Sequence, residues 1–316
     1  MLKQNVIVIV GPTAVGKTKL SIDCAKSFGG EIISGDSMQI YKRLDIGTAK
    51  IKPDEMEGIR HHLIDIKEPE ESFSVAEFQT EVRGKIDEIS SRGLTPIIVG
   101  GTGLYIQSVL YDYQFIDMPG NEALRIELEK DAKKDNGKEL YQKLETIDPK
   151  SAERIHPNNV RRVIRALEIF YSSGKTMSEL QQDQKMEQLY ESAIVGLTMD
   201  REKLYNRIDQ RVDIMLDQGL LQEVSELFNQ GIKNVQSVQG IGYKEIYDYL
   251  EGRSDFEEAV ELLKQHSRRY AKRQLTWFRN KMDVNWFDMT NEGEQWSKTT
   301  EIIEFIAGKL QIKANR

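Results

Sequence analysis

The sequence predicts an α/β fold: a parallel sheet with helices on both faces, interrupted by a helical insertion. Three observations support this prediction. Short apolar runs alternate with amphipathic helical stretches, the first run leads directly into a glycine-rich motif, and a polar helical stretch breaks the alternation in mid-chain. Such alternation is typical of parallel strands joined by helical crossovers. We therefore expect a P-loop α/β core and one inserted helical domain.

The first strand and the loop after it form the clearest motif. Residues 6–10 are a β-branched apolar run, typical of a strand buried on both faces. GPTAVGKT then fits the pattern G-x-x-x-x-G-K-[ST] with Gly11, Pro12, Thr13, Ala14, Val15, Gly16, Lys17 and Thr18. Backbone N–H groups of such a loop surround a phosphate at a helix start, Lys17 adds positive charge, and the Thr18 hydroxyl suits Mg²⁺. The motif predicts a diphosphate site.

The other elements follow from the same patterns. Strands are predicted at residues 31–34, 61–66, 96–99, 192–199 and 284–288, and helical stretches at 75–90, 201–250, 256–279 and 299–310. Strand signals are absent from about residue 117 to 190. We therefore predict a core formed by residues 1–113 and 195–316, and a helical insertion over 114–194. Asp36, Ser37 and Thr102 each come just after a predicted strand, so we expect them at the sheet edge that carries the P-loop.

Composition restricts the compartment and the class of protein. Of the 316 residues, 39% are hydrophobic and 30% charged, and no apolar run approaches the ~18 residues that a membrane span needs. One cysteine cannot form an internal disulfide, and the four histidines do not combine with it into a zinc-type cluster. We expect a cytoplasmic monomer without membrane contact. The net charge of −7 alone argues against nucleic-acid binding, but the distribution of positive charge along the chain matters more than the sum.

The acidic residue that ends a second strand in P-loop NTPases has no clear counterpart. The run at residues 97–99 ends in Gly100 and Gly101, and Asp65 is a poor substitute. Asp36, one predicted strand from the P-loop, is the best-placed carboxylate. A turn or helix-capping aspartate is the simpler interpretation, but the polar residues that follow it favour a chemical role.

Positive charge is concentrated in two places. Residues 265–281, QHSRRYAKRQLTWFRNK, contain no acid, and Tyr270, Trp277 and Phe278 lie between the basic residues. Cations neutralise phosphates and aromatic rings stack on unpaired bases, so this tract predicts RNA contact. A solvated helix face is the alternative. A second group, Arg161, Arg162 and Arg165, lies beside an apolar helix face that includes Val163 and Ile164.

A set of segments in this chain resembles the tRNA dimethylallyltransferase family, also called the tRNA isopentenyltransferases. The segments are GPTAVGKT, DSMQIYKRLDIGTAK (36–50), HHLID (61–65), GGTGLY (100–105), RIHPNNVRRVIRALEI (154–169), QGIGYKE (239–245) and YAKRQLTWFR (270–279). They occur in family order and span nearly the whole chain. Val15 and Ile40 replace the usual Ser and Val without removing a functional group. One cysteine cannot supply the zinc finger of eukaryotic members, so the resemblance is to the bacterial type.

The resemblance implies transfer of a dimethylallyl group from dimethylallyl diphosphate to N6 of the adenine just 3′ of a tRNA anticodon. The P-loop would then hold the departing diphosphate, with Lys17, Arg211 and Mg²⁺ on Thr18 balancing its charge. Asp36 would be the general base. Arg211 could instead pair with Asp213 or another acid, and Arg207 is a weaker candidate for the same role.

The resemblance also implies how tRNA is held. The target adenine would flip out of its stack into a pocket lined by Ser37, Met38 and Gln39, and Thr102 would bond to it. Thr102 could equally be a small residue in a glycine-rich turn. The other implied tRNA contacts are Arg125, Arg161, Arg162, Val163, Ile164, Arg165, Lys272, Arg273 and Arg279.

Three other functions remain open on the sequence. A P-loop kinase of nucleosides or other small molecules would share the first strand, loop and helix. A related prenyltransferase could act on free adenine nucleotides. A GTPase-like module could bind RNA without catalysis. The basic aromatic tract favours tRNA over the first two.

Overall fold

The computed structural model describes residues 3–115, 121–182 and 187–315. The chain divides into two compact units, which we call the core unit (Met1–Tyr111 and Gln188–Arg316) and the helical unit (Asp112–Glu187).

The core unit contains a six-stranded sheet. Its strands are β1 Asn5–Val10, β2 Gly30–Ser34, β3 His61–His62, β4 Thr95–Gly100, β5 Glu191–Thr198 and β6 Asn285–Asp288. Their order is β3-β2-β4-β1-β5-β6, and all neighbouring pairs are parallel. The apolar run of β1 is completely buried, as its position near the middle of the sheet requires. The predicted parallel sheet is confirmed, with the P-loop at the carboxyl end of β1.

One strand differs from its predicted bounds by more than one residue, and another changes the predicted boundary of the core unit. β3 ends at His62 rather than residue 66, because Leu63 and Asp65 adopt φ of 61° and 55°, which no strand accommodates. β5 begins at Glu191, which lies opposite Asn5 of β1. The core unit therefore resumes ahead of residue 195, since pairing with β1 holds this segment in the sheet.

The helices occupy the stretches between strands. They are α1 Lys17–Phe28, α2 Val75–Ser91, α3 Gly103–Leu110, α4 Glu122–Asp135, α5 Lys138–Ile147, α6 Pro149–Ala152, α7 Val160–Ser173, α8 Met177–Gln182, α9 Arg201–Asp217, α10 Leu220–Asn229, α11 Tyr243–Leu250, α12 Phe256–Lys281 and α13 Gln295–Leu310. The single stretch predicted over 201–250 is three helices. Gly219, Gly231 and Gly242 interrupt it with φ of 102°, 76° and 99°, which residues with a side chain rarely adopt.

Helices cover both faces of the sheet. Val6, Val8 and Val10 of β1 pack in a cluster with residues of α2, α3, α10 and α11, whereas Ile7 and Ile9 pack with residues of α1, α9 and α13. Alternate residues of a strand point to opposite faces, so each cluster is one side of the sheet. The helical unit has an apolar cluster of its own around Leu128, Leu144 and Leu167.

None of the described helices combines the length and the apolar content needed to cross a bilayer.

Candidate active site

The P-loop closes tightly because two of its positions are glycine. Gly11 has φ of 149°, and a Cβ there would come within 2.7 Å of the Leu197 carbonyl oxygen. Gly16 precedes α1 with φ of 103° and offers no side chain to cap the helix. The first N–H groups of α1 therefore lack a side-chain cap. Such groups bind anions, so the loop has the geometry of a phosphate site.

Lys17 lies beneath this loop. Its ammonium group donates to the carbonyl oxygens of Gly11, at 3.0 Å, and Pro12, at 2.6 Å. Burial and the charge of Arg211 lower the pKa of Lys17 to about 7, against an opposing effect of Asp36. A bound phosphate would stabilise the charged ammonium, so this group is suited to respond to an anion in the loop.

Arg211 reaches the same loop from α9. Its guanidinium donates to the Thr13 hydroxyl at 3.4 Å, and burial lowers its pKa from the ordinary value. Asp213, the alternative partner, instead pairs with Lys264 at 2.6 Å. Arg207 forms an ion pair with Glu292. Of the two predicted arginines, only Arg211 therefore contacts the phosphate loop.

Asp36 follows β2 at the same edge of the sheet. The Gly35 N–H donates to the Val99 carbonyl at 2.7 Å, so the ends of β2 and β4 are held together. Asp36 Oδ1 accepts the Met38 N–H at 2.8 Å, which is the turn role that the sequence left open. Asp36 Oδ2 accepts no hydrogen bond from any described residue, so the turn leaves it able to accept a proton.

One cleft of about 440 Å³ brings the predicted groups together. The predicted residues that line it are Thr13, Lys17, Thr18, Asp36, Ser37, Met38, Gln39, Arg211 and Arg273. A second cavity of about 900 Å³ shares Thr18, Gln39 and Arg211 with it. Thr102 precedes α3 without capping it, and its buried hydroxyl forms no regular hydrogen bond within the described ranges. Burial raises the pKa of the Tyr270 phenol, and Thr102 lies close enough to that phenol to lower it. A buried hydroxyl without a regular hydrogen bond is suited to a polar ligand atom.

Gln274, on α12, is a site residue that the sequence did not reveal. Its side-chain oxygen accepts the Thr13 N–H at 3.1 Å, and its amide nitrogen donates to the Gly101 carbonyl at 3.1 Å. It therefore joins the P-loop to the turn that carries Thr102. The sequence pattern that could have identified Gln274 is a polar residue at a helical position in line with Ala271 and Phe278, which lie on the buried face of α12.

The basic tract of α12 is partly exposed and partly engaged. Lys272, Arg273 and Arg279 are exposed, and Arg273 lies 5.6 Å from the ring centre of Tyr270. Arg268 is paired with Asp209 at 2.5 Å. Phe278 is completely buried and belongs to the core. Arg269 and Lys281 are exposed too, so five cations of the tract are available to phosphates, whereas only Tyr270 and Trp277 of its aromatic residues are partly exposed.

The predicted tRNA contacts in the helical unit are of two kinds. Arg161 and Arg162 are exposed. Arg125 and Arg165 bind the buried Glu168 carboxylate at 3.1 Å and 2.9 Å, and this pairing holds the pKa of Glu168 below its usual range against the effect of burial. They therefore have a structural role, although both remain partly exposed.

Val163 and Ile164 require a correction. They are 0% and 5% exposed and pack in the apolar cluster of the helical unit. Their side chains present no surface to RNA, so the prediction that they contact tRNA is wrong for the side chains.

The donor set for Mg²⁺ is limited. No group of three or more His, Cys, Asp or Glu side chains that could hold a metal occurs in the part of the chain that the structure describes. Thr18 is exposed and lines the cleft. Mg²⁺ commonly binds through few protein oxygens together with substrate phosphates and water. The residues present fit that mode of binding, with Thr18 as protein ligand.

Comparison with known proteins shows to which family this chain belongs. A family model described as IPP transferase matches residues 39–281. The chain is 64% identical over 315 residues to a tRNA dimethylallyltransferase of Bacillus anthracis, covering 100% of this chain and 99% of that protein. The chain belongs to the tRNA dimethylallyltransferase family. The sequence-based prediction of this family, and of its bacterial type, is confirmed.

Solved structures of the tRNA dimethylallyltransferase family agree with this family assignment. A tRNA isopentenylpyrophosphate transferase from Bacillus halodurans is 53% identical, with 98% of this chain and 97% of that chain covered and a TM-score of 0.76. A eukaryotic dimethylallyltransferase, described as acting on tRNA, is 32% identical, with 99% and 81% covered and a TM-score of 0.82. These comparisons favour the prenyltransferase over the kinase and over the enzyme of free nucleotides.

The GTPase-like alternative depends on a guanine-reading N-K-x-D motif, and NKMD does stand at residues 280–283. It lies where α12 ends and the chain enters β6. In a parallel sheet this is the amino-terminal edge, opposite the edge that carries the P-loop. The motif is therefore in the wrong place to read a base bound at the cleft.

Proposed function

We propose that this protein transfers a dimethylallyl group from dimethylallyl diphosphate to N6 of the adenine just 3′ of a tRNA anticodon, releasing diphosphate. One observation carries the proposal: the P-loop and Asp36 line the same cleft. A site for an anionic leaving group and a carboxylate that can accept a proton therefore lie together.

The P-loop side of the cleft would stabilise the leaving group. As the allylic C–O bond breaks, negative charge grows on the diphosphate, and the N–H groups at the start of α1 with Lys17 and Arg211 stabilise it. Mg²⁺, when bound by the Thr18 hydroxyl and phosphate oxygens, supplies further positive charge. The role as a leaving-group site explains why no second acidic motif of the NTPase kind is needed.

The opposite side would activate the nucleophile. The N6 amine of adenine is weak because its lone pair is delocalised into the ring. Asp36 Oδ2 accepts an N6 proton as the new C–N bond forms, while Oδ1 stays bound to the Met38 N–H. Ser37, Met38 and Gln39 line the cleft beside it and would surround the flipped adenine.

RNA would be held by local positive charge despite the net charge of −7. The exposed cations are Arg269, Lys272, Arg273, Arg279 and Lys281 on α12, and Arg161 and Arg162 on α7. Contacts of this kind position the phosphates and do not depend on the sum of charges over the chain. A tRNA substrate would place the reaction in the cytoplasm.

The test is incorporation of labelled dimethylallyl diphosphate into an unmodified anticodon stem-loop in the presence of Mg²⁺. We expect label in the RNA, and none when the adenine 3′ of the anticodon is replaced by guanine. AMP and ATP serve as competing acceptors. Preferential labelling of either nucleotide, or phosphoryl transfer from ATP without prenylation, would overturn the proposal.

A further inference from the structure

A short loop, residues 45–50, separates the two cavities of the core unit. Gly47 and Thr48 line the cleft that contains Asp36, Asp45, Ile46 and Lys50 line the larger cavity, and Ala49 lines both. Its conformation therefore contributes to the shape of the cleft that contains Asp36.

Glu223, on α10, holds this loop by its backbone. Its Oε2 accepts the N–H groups of Asp45 at 2.9 Å and Ile46 at 2.7 Å, and its Oε1 accepts the N–H of Gly47 at 3.0 Å. Three successive N–H groups that converge on one carboxylate form an anion nest. A side chain 176 residues or more along the chain thus provides the anion that fixes the loop.

Tyr243, on α11, completes the arrangement. Its hydroxyl donates to Glu223 Oε1 at 2.6 Å. Burial and the Glu223 carboxylate raise the pKa of Tyr243 above its usual range, so the phenol remains a donor. Its ring lies against Gly47, where a Cβ would come within 2.6 Å of ring atoms. The loop is therefore held from two helices.

Hydrogen bonds continue from the loop to the proposed base. The Gln39 side-chain nitrogen donates to the Thr48 carbonyl at 3.2 Å, and the Ser34 hydroxyl donates to the Gln39 side-chain oxygen at 3.3 Å. The Asp36 N–H donates to that Ser34 hydroxyl at 3.4 Å. The loop held by Glu223 is thus linked through two side chains to the backbone of Asp36.

We propose that Glu223 is a positioning residue for the transfer reaction: it holds loop 45–50 against Gln39 and thereby fixes Asp36 relative to the P-loop. The inference rests on the proposed function, because it is expressed in the rate of that reaction. Glu223 does not line the cleft and does not touch the reacting atoms. Its loss should slow the chemical step and leave RNA binding largely intact.

The experiment compares Glu223→Ala and Glu223→Gln with Glu226→Ala. Glu226 lies on the same helix, is exposed, and its carboxylate accepts one hydrogen bond from the described residues, from the Gln222 side chain. We expect the single-turnover rate of prenyl transfer to fall roughly 10–100-fold in both Glu223 variants, because small displacements of reacting groups have effects of this size. The dissociation constant for the stem-loop should stay within about threefold, and Glu226→Ala should match the unmodified protein.

Chemical rescue separates positioning from a general loss of structure. Glu223→Ala leaves three N–H groups directed at a space of carboxylate size, so added formate should restore part of its rate. Formate should not accelerate Glu226→Ala. Thermal unfolding of each variant shows whether the fold persists, and Glu223→Gln keeps the side-chain volume if Glu223→Ala does not fold.

Two results would count against these proposals in different ways. Wild-type rates in both Glu223 variants, with an active unmodified protein, would overturn the positioning role alone. Absence of prenyl transfer in the unmodified protein would overturn the proposed function and the positioning role with it.

Discussion

The affinity of the P-loop for diphosphate should depend on pH through Lys17. Burial and Arg211 lower the pKa of this lysine to about 7 in the free protein. A bound diphosphate adds adjacent negative charge and returns the pKa towards its ordinary value, so binding takes up a proton. Above pH 7 the protonated fraction of Lys17 in the free protein falls by up to about tenfold per pH unit, so between pH 7.5 and 8.5 the dissociation constant should rise by up to about tenfold.

Isothermal titration calorimetry with dimethylallyl diphosphate, without RNA, measures this directly. In two buffers of different ionisation enthalpy at pH 8.5, we expect uptake of nearly one proton per ligand. Lys17→Gln should bind dimethylallyl diphosphate more weakly and lose this proton uptake. Subtracting the proton uptake of Lys17→Gln from that of the unmodified protein removes the contribution of the ligand's own titration. Lys19→Gln, which alters an exposed neighbour, is the control. Equal pH dependence in Lys17→Gln and the unmodified protein would refute the reasoning.

Three further predictions concern the base, the RNA surface and acid stability. Asp36→Asn should lower turnover by roughly 10²–10⁴-fold, with stem-loop affinity in a gel-shift assay unchanged; full activity would eliminate Asp36 as the base. Replacing Arg161 and Arg162 by Glu should weaken stem-loop binding and flatten its dependence on salt, and an unaltered salt slope would exclude this part of α7. Arg92, the main cause, and His62 hold the pKa of Glu31 down to about 2 from 4.5, against burial. The folded state then binds fewer protons than the unfolded chain between these values, so this stability is present above pH 4.5 and lost as pH falls towards 2. Arg92→Gln should therefore move the acid-unfolding midpoint, followed by circular dichroism, to higher pH.

Local patterns in the sequence determined the frame of the core unit. The apolar run of β1 and the glycines after it identified the P-loop, because a buried strand and a loop with positive φ need those residue types. Asp36 and Thr102 could be placed at the same edge because parallel strands present their carboxyl ends together. The alternation of strands and helices predicted the layers of the sheet, which the structure confirms.

Other features depended on contacts between distant segments, and only the tertiary structure decided them. Arg211 contacts Thr13 rather than Asp213 because α9 packs beside the P-loop. Gln274 meets backbone groups 261 and 173 residues away, and Glu223 meets backbone groups at least 176 residues away, so no local pattern marks them. Periodicity shows which side of a helix is apolar, but the folded chain decides which polar groups meet, because hydrogen bonds require both partners within about 3 Å.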